Sequence, residues 1–306
     1  MKIIYNAVRM HLSLTAILPD FGLLPQPFFY IAVGIFGAII GSFLNVVIHR
    51  LPREESIVLP SSKCPSCGAN IAFYDNLPVL SYVFLGGRCR ECKTGISARY
   101  PAVEALTAAL FVATAWHDGF SVALPFDLVF VAAITALVFI DAEHMILPNA
   151  ITYPGMVFAL AARLAVPYLT GSPHFDDLPM LLDGMLAGMP LWAASVIGAL
   201  IGALIGGGSL WLMGWTWEKL RGVEAMGLGD VKMMFMVGAY LGWRLTILNI
   251  FLGVLSGSII GIILMARQGK RNMQMLLPFG VFLGIGAILA LLIGRQIVEW
   301  YAAQFR

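Results

Sequence analysis

Residues 245–266, LTILNIFLGVLSGSIIGIILMA, run for 22 positions without an Asp, Glu, Lys or Arg. Crossing the roughly 30 Å hydrocarbon core of a bilayer takes about 20 apolar residues in a helix. The stretch therefore sets the solvent, which is lipid. The rest of the chain agrees: hydrophobic residues make up 59% of the 306 positions and charged residues 12%, with a mean hydropathy of +0.86. A soluble domain of this size would need far more charge to cover its core. Membrane lipid is thus one partner, and no nucleic-acid partner is expected.

Scanning outward from that stretch gives about eight candidate spans, at approximately 29–48, 101–117, 122–140, 150–169, 183–212, 227–243, 245–266 and 276–298. The fold class predicted is an all-α polytopic bundle, because an open sheet cannot satisfy its edges in hydrocarbon. The fifth span is long enough to tilt, to kink near Pro190 or to loosen at Gly206-Gly207-Gly208. The sixth is short. Basic residues cluster between spans: Arg50, Arg53, Lys63, Arg88, Arg90, Lys93 and Arg99 in the first large loop, Lys219 with Arg221, and Arg267 with Lys270 and Arg271. The 170–183 connection instead holds Asp176, Asp177 and Asp183. Since basic loops stay in the cytoplasm, eight alternating spans put the 49–100 loop inside and both termini outside.

Residues 1–28, with Lys2 and Arg9 around an apolar stretch, read as an interfacial lead-in to the first span rather than a cleaved signal. The chain divides into an N-terminal part, 1–104, that holds the first span and the polar loop, and a membrane-embedded remainder, 105–306.

All four cysteines fall in that loop, as Cys64-Pro-Ser-Cys67 and Cys89-Arg-Glu-Cys92. Each two-residue gap lets a pair of thiolates face one metal, and two such knuckles complete a tetrahedral zinc site. Disulfides are disfavoured in a reducing cytoplasm. Four thiolates leave no position for a reacting water, so the zinc is structural. Gly68 and Gly95 are placed to supply the tight turns.

An ionisable group within a span is a functional candidate because of its insertion cost. Two stand out: Asp141, ending the third span in Phe139-Ile140-Asp141-Ala142-Glu143-His144, and Asp230, opening the sixth in Gly227-Leu228-Gly229-Asp230. Alternation of the spans brings both to the cytoplasmic end. Two carboxylates at one depth can share a proton, the arrangement that activates water against a peptide carbonyl. Read singly, Asp141 is an interfacial residue and Asp230 a helix cap; the common depth reverses that. The glycines leave room for an extended peptide. Glu143 and His144 are rival acid and base but fall on the solvated side. Lys232 is read as snorkelling to headgroups, and Met226 to Met236 as core.

At these residues the chain resembles the bacterial type IV prepilin peptidases, Gly-x-Gly-Asp intramembrane aspartyl proteases. The likeness also rests on the run from Gly41 to Pro52, on Asn76-Leu77-Pro78-Val79, on the run from Ile96 to Glu104, and on Pro278-Phe279-Gly280. It implies that Asp141 and Asp230 are the catalytic pair, that the substrates are prepilins and pseudopilins of type IV pili and type II secretion, and that cleavage follows a glycine on the cytoplasmic side. It further implies N-methylation of the new terminus from S-adenosylmethionine, with Gly87 matching a position tied to methyl transfer. Arg88 stands where the family usually has Lys. Two other classes compete: a non-catalytic assembly factor whose zinc loop binds a partner, and a transporter using the aspartates as a proton or cation relay. A relay needs groups across the bilayer, and the outer halves of the two spans are read as carrying no charge but Arg244.

Overall fold

The computed structural model describes residues 26–59, 62–64, 66–175, 188–223, 226–268 and 277–304. Residues 1–25 of the expected lead-in, together with Asp176, Asp177, Asp183, Lys270 and Arg271, lie outside the described residues. The described chain is helical: α1 (Gln26–Arg50), α2 (Leu80–Phe84), α3 (Arg99–Asp118), α4 (Leu124–His144), α5 (Asn149–Thr170), α6 (Leu191–Ala203), α7 (Ser209–Arg221), α8 (Leu228–Gln268) and α9 (Phe279–Ala303). Two isolated bridges in the cysteine loop are the β pairing among the described residues.

Six helical stretches are long and apolar enough to cross a membrane. One of them is two spans. At 41 residues, α8 would measure about 61 Å if straight, twice the hydrocarbon core, but it breaks at Gly242, whose φ of 76° and ψ of 177° are not helical. Packing against α9 shows the reversal. The first half keeps step with α9, Gly280 lying beside Asp230 and Gly284 beside Met233. The second half runs back along it, with Gly294 beside Leu245, Gly286 beside Asn249 and Gly253 beside Leu283. The less apolar α3 crosses too, because it retraces α1: Gly34 meets Val112, Gly37 meets Ala108 and Gly41 meets Glu104. Among the described residues the six stretches thus resolve into eight helical legs through the bundle, the number the sequence reading expects.

The fifth span is loosened at the glycine run and not at Pro190. Pro190 sits at the N-cap of α6, where a missing N–H costs nothing. Leu204–Gly208 instead forms a π-turn that passes directly into α7. A Cβ on Gly202 or Gly206 would strike the carbonyls of Gly238 or Met234, so the small residues let this helix and α8 approach backbone to backbone. The core between these elements is closed by Phe130, Val131, Ile134, Leu137, Met233, Tyr240 and Leu283, all nearly or fully buried. Met233, Met234 and Met236 belong to it, as the sequence suggests.

Helix direction alternates, so the cysteine loop, the α4–α5 turn, the α7–α8 turn and the start of α9 all fall at one end of the bundle, called the loop end below.

Candidate active site

Asp141 in the last turn of α4 and Asp230 in the first turn of α8 meet at the loop end, against the start of α9. The point where a Cβ on Gly280 would lie is 2.8 Å from Asp141 Oδ2 and 3.1 Å from Asp230 Oδ1. Both carboxylates thus converge on a spot that only glycine leaves open. Asp141 is buried and accepts the Val281 amide at 3.0 Å. That donor lies in the first turn of α9, where it also reaches the Pro278 carbonyl at 3.3 Å and where the helix dipole favours an anion. Asp230 is half-buried; its own amide closes a turn on the Gly227 carbonyl at 3.2 Å.

The two motif glycines differ in role. Gly227 has open space beside Asp230, but a Cβ on Gly229 would come within 3.1 Å of Leu147 Cβ, so Gly229 serves the packing of α8 on the Leu147-Pro148 turn. Glu143 is turned away from the pair into an ion pair with Arg99. The Lys232 ammonium donates to Asn149 Oδ1 at 3.0 Å in an exposed hydrogen bond and lies 5.4 Å from the Tyr153 ring centre, which links α5 to α8 just behind Asp230.

The four cysteine Sγ atoms all lie within 4.8 Å of one another. Cys64 and Cys92 are 3.8 Å apart, the edge of a tetrahedron with metal–sulfur bonds of about 2.3 Å. Two knuckles of one design build the cluster. In the first, Lys63 pairs with Asn70, the Cys64 amide donates to Ala69 O and the Gly68 amide to Cys64 O. In the second, Arg88 pairs with Gly95, the Cys89 amide donates to Thr94 O and the Lys93 amide to Cys89 O. The matching left-handed positions are Gly68 (φ 72°) and Lys93 (φ 59°). Lys93, not Gly95, therefore makes the second turn. Hydrogen bonds with the Thr94 hydroxyl and amide lower the Cys92 thiol to about 6, while the neighbouring Cys64 thiol and burial push Cys67 up to about 11, so the clustered thiols give up their protons in turn.

Comparison with known proteins matches the chain in two stretches. The pattern of the bacterial peptidase A24 N-terminal domain matches residues 35–118, and that of the type IV leader peptidase family matches residues 128–262. A protein of Pseudomonas aeruginosa named prepilin leader peptidase/N-methyltransferase is 35% identical over 89% of this chain and 93% of its own. The chain belongs to the type IV leader peptidase family. Family members of the same name from Dichelobacter nodosus and Aeromonas hydrophila are each 36% identical over 91% of this chain and 96% of theirs. No solved structure gives a significant match.

The family resemblance noted at scattered motifs acquires a physical basis in the loop. Val79 of the Asn-Leu-Pro-Val motif donates its amide to Glu104 Oε2 at 2.8 Å. Asn45 donates to the Tyr100 carbonyl at 3.0 Å, and a Cβ on Gly41 would come within 2.7 Å of Glu104 Cα. These residues fasten the loop to α1 and α3. Gly87 adopts φ 67°, and a Cβ there would lie 2.9 Å from the Tyr82 phenol. Its amide and carbonyl are both engaged, with Tyr82 O at 2.8 Å and Ile96 N at 2.7 Å. The backbone of Gly87 thus shapes the loop between α2 and the second knuckle.

Sequence reading went wrong at the other end of the bundle. The outer halves do not carry Arg244 alone: Asp127, in the first turn of α4, is 2% exposed. It accepts the Tyr240 hydroxyl at 2.6 Å, and His174 Nε2 lies 3.4 Å from it. Tyr240 is stacked on Phe130 with ring centres 4.2 Å apart. Arg163, also overlooked within its span, is fully buried; it donates from Nε to Ser195 O at 3.3 Å and sits over the Phe175 ring. The ionisable residue inside an apolar run, the signal applied to Asp141, was equally present at Asp127 and Arg163.

Proposed function

We propose that this chain cleaves leader peptides from prepilins and pseudopilins with Asp141 and Asp230 as its catalytic dyad, and methylates the amino terminus so released. The observation that carries the reading is the convergence of the two carboxylates on Gly280. Asp141, holding the α9 amide, is the member suited to negative charge; Asp230 carries the proton that two adjacent carboxylates must share. Asp141 takes a proton from water as the oxygen attacks the scissile carbonyl, and Asp230 protonates the carbonyl oxygen. The tetrahedral intermediate collapses when the leaving nitrogen gains a proton, so one water is consumed and one carboxyl and one amine are formed.

The orientation proposed places the loop end in the cytoplasm and both termini outside, because the basic clusters lie at the loop end. A prepilin with a short basic leader and an apolar helix would present its scissile bond at that depth. The two working parts divide near residue 104: the first carries the loop and the second the dyad. The loop holds one zinc through Cys64, Cys67, Cys89 and Cys92, a donor set whose spacing suits a closed tetrahedral site. Zinc there supplies folding energy to a loop with little core of its own. S-adenosylmethionine, implied by the methyltransferase name, supplies the methyl group when bound. Gly87 supports methyl transfer as a positioning residue, through the shape it gives the loop.

A transporter relay finds no support, since Ile134, Leu137 and Met233, all fully buried, fill the space between Asp127 and Asp141 with apolar side chains. The purified protein in detergent, given a full-length prepilin with and without S-adenosylmethionine, tests the reading by product mass. Leader loss is expected in both cases and a methylated terminus only with the methyl donor. Intact prepilin in both would overturn it.

A further inference from the structure

The cysteine loop carries an apolar surface that the catalytic reading does not use. In α2, Ser81 faces the loop interior, where its hydroxyl donates to Tyr74 O at 3.0 Å and accepts the Leu77 amide at 3.1 Å. Tyr82 packs against Gly87. The remaining face shows Leu80, Val83 and Phe84, which are 55%, 67% and 83% exposed. Spacings of three and four put these three on one side of the helical turn. Leu77, 52% exposed, precedes them. A face this apolar on a loop otherwise rich in Lys and Arg calls for an apolar neighbour.

Its depth says which neighbour. The Val79 amide, immediately before α2, bonds to Glu104, five residues into α3 and so about 7.5 Å along the span from its Arg99 end. Glu104 itself packs against Gly41, nine residues before the end of α1. Arg99 is ion-paired with Glu143, at the end of α4. The start of α2 is therefore tied to a point nearer the bundle centre than the helix ends that flank the dyad. A helix tied at that level lies at the bilayer boundary and not out in solvent. Exposed Arg88 and Lys93 follow it at the second knuckle, matching the negative surface of an anionic leaflet.

We propose that α2 is a membrane anchor of the loop: Leu80, Val83 and Phe84 sit in the acyl-chain boundary of the leaflet at the loop end, with Arg88 and Lys93 among its headgroups. The inference needs only that the bundle spans a bilayer, and stands apart from the catalytic assignment. Its consequence is positional. The knuckles are held by the spans on one side and by lipid on the other, beside the dyad.

An environment-sensitive fluorescent amino acid at Phe84 tests it in the full-length protein, reconstituted in vesicles of zwitterionic and anionic phospholipid. The replacement is at a side chain that makes little contact with the fold. Lipids spin-labelled just below the headgroup should quench the probe strongly and its emission should be blue-shifted, while the same probe at exposed Asn70, on the first knuckle, should be neither. Emission at Phe84 that is solvent-like and unquenched would overturn the proposal. So would quenching that vanishes when the protein is diluted in lipid, which would assign the face to a second copy. A blue shift that arises only on adding a prepilin's apolar helix would assign it to substrate and overturn it equally.

Discussion

Helix α4 carries a buried carboxylate at each end, and the two are held in opposite ways. Asp127 meets a tyrosine hydroxyl and an imidazole beside a stack of aromatic rings, so side-chain donors answer it although a second carboxylate, Asp118, stands next to it as well. Asp141 meets the backbone amides of Gly280 and Val281 and a second carboxylate across a glycine. Its donors are backbone amides, and no side-chain donor reaches it among the described residues. Burial alone does not separate the two, since both are almost inaccessible. What separates them in the proposed reading is whether the fold's own side chains complete the carboxylate's hydrogen bonding, as a structural group requires, or leave part of it for water and a peptide.

The contrast breaks most visibly at Gly280. A side chain there would press directly on both carboxylates, so Gly280→Val should lower leader cleavage by at least ~100-fold while the bundle remains folded by circular dichroism and gel filtration. Cleavage within a few-fold of the parent protein would mean that the open space has no part in the reaction.

The cysteine site provides the next largest effect. Cys64→Ser combined with Cys89→Ser should reduce bound zinc from about one per chain to a trace, by elemental analysis, and should impair methyl transfer more than cleavage, because the dyad is built by α4, α8 and α9. Equal loss of both activities in a protein whose spans stay folded would remove the separation of the two sites.

At the far end, Tyr240→Phe takes away a hydrogen bond to a buried charge worth about 1.5–3 kcal/mol. The expected outcome is a lower melting midpoint in detergent with cleavage at low temperature unchanged. A large fall in cleavage with the midpoint preserved would place Asp127 in the chemistry and dissolve the comparison. The smallest effect is expected at Glu143, two residues from Asp141. A partly exposed ion pair contributes about 0–1 kcal/mol, so Glu143→Gln should change the cleavage rate by no more than about fivefold.

How much of this was legible beforehand follows the same physics. Span positions came from apolar run lengths, and the cysteine cluster from two Cys-x-x-Cys spacings, because both signals are local. Apolar runs read on either side of Arg244 kept 227–243 and 245–266 apart, whereas the break itself, at Gly242, is a backbone fact within an otherwise continuous helix. Proximity of Asp141 to Asp230 was readable through alternation of the spans. Gly280 was visible only as part of a resemblance, since a glycine's value lies in what would collide with a side chain, and that is a tertiary fact. Asp127 and Arg163 were passed over for another reason: the same cost argument that selected Asp141 applied to them, and only the partners, 113 residues away in the case of Tyr240, show that the cost is met within the fold. Lys93 as the turn residue of the second knuckle was masked by the more usual preference for glycine at positive φ.

The central claim is that the two carboxylates act as one unit, and single-turnover cleavage by Asp141→Asn and Asp230→Asn measures it most directly. Each replacement keeps the volume but cannot exchange the shared proton. With enzyme in excess over a full-length prepilin, each variant alone should leave the leader attached through many half-lives of the parent reaction while still co-purifying with the prepilin, and the double variant should be no worse than either. Cleavage by either single variant at a rate near that of the parent protein would contradict the account.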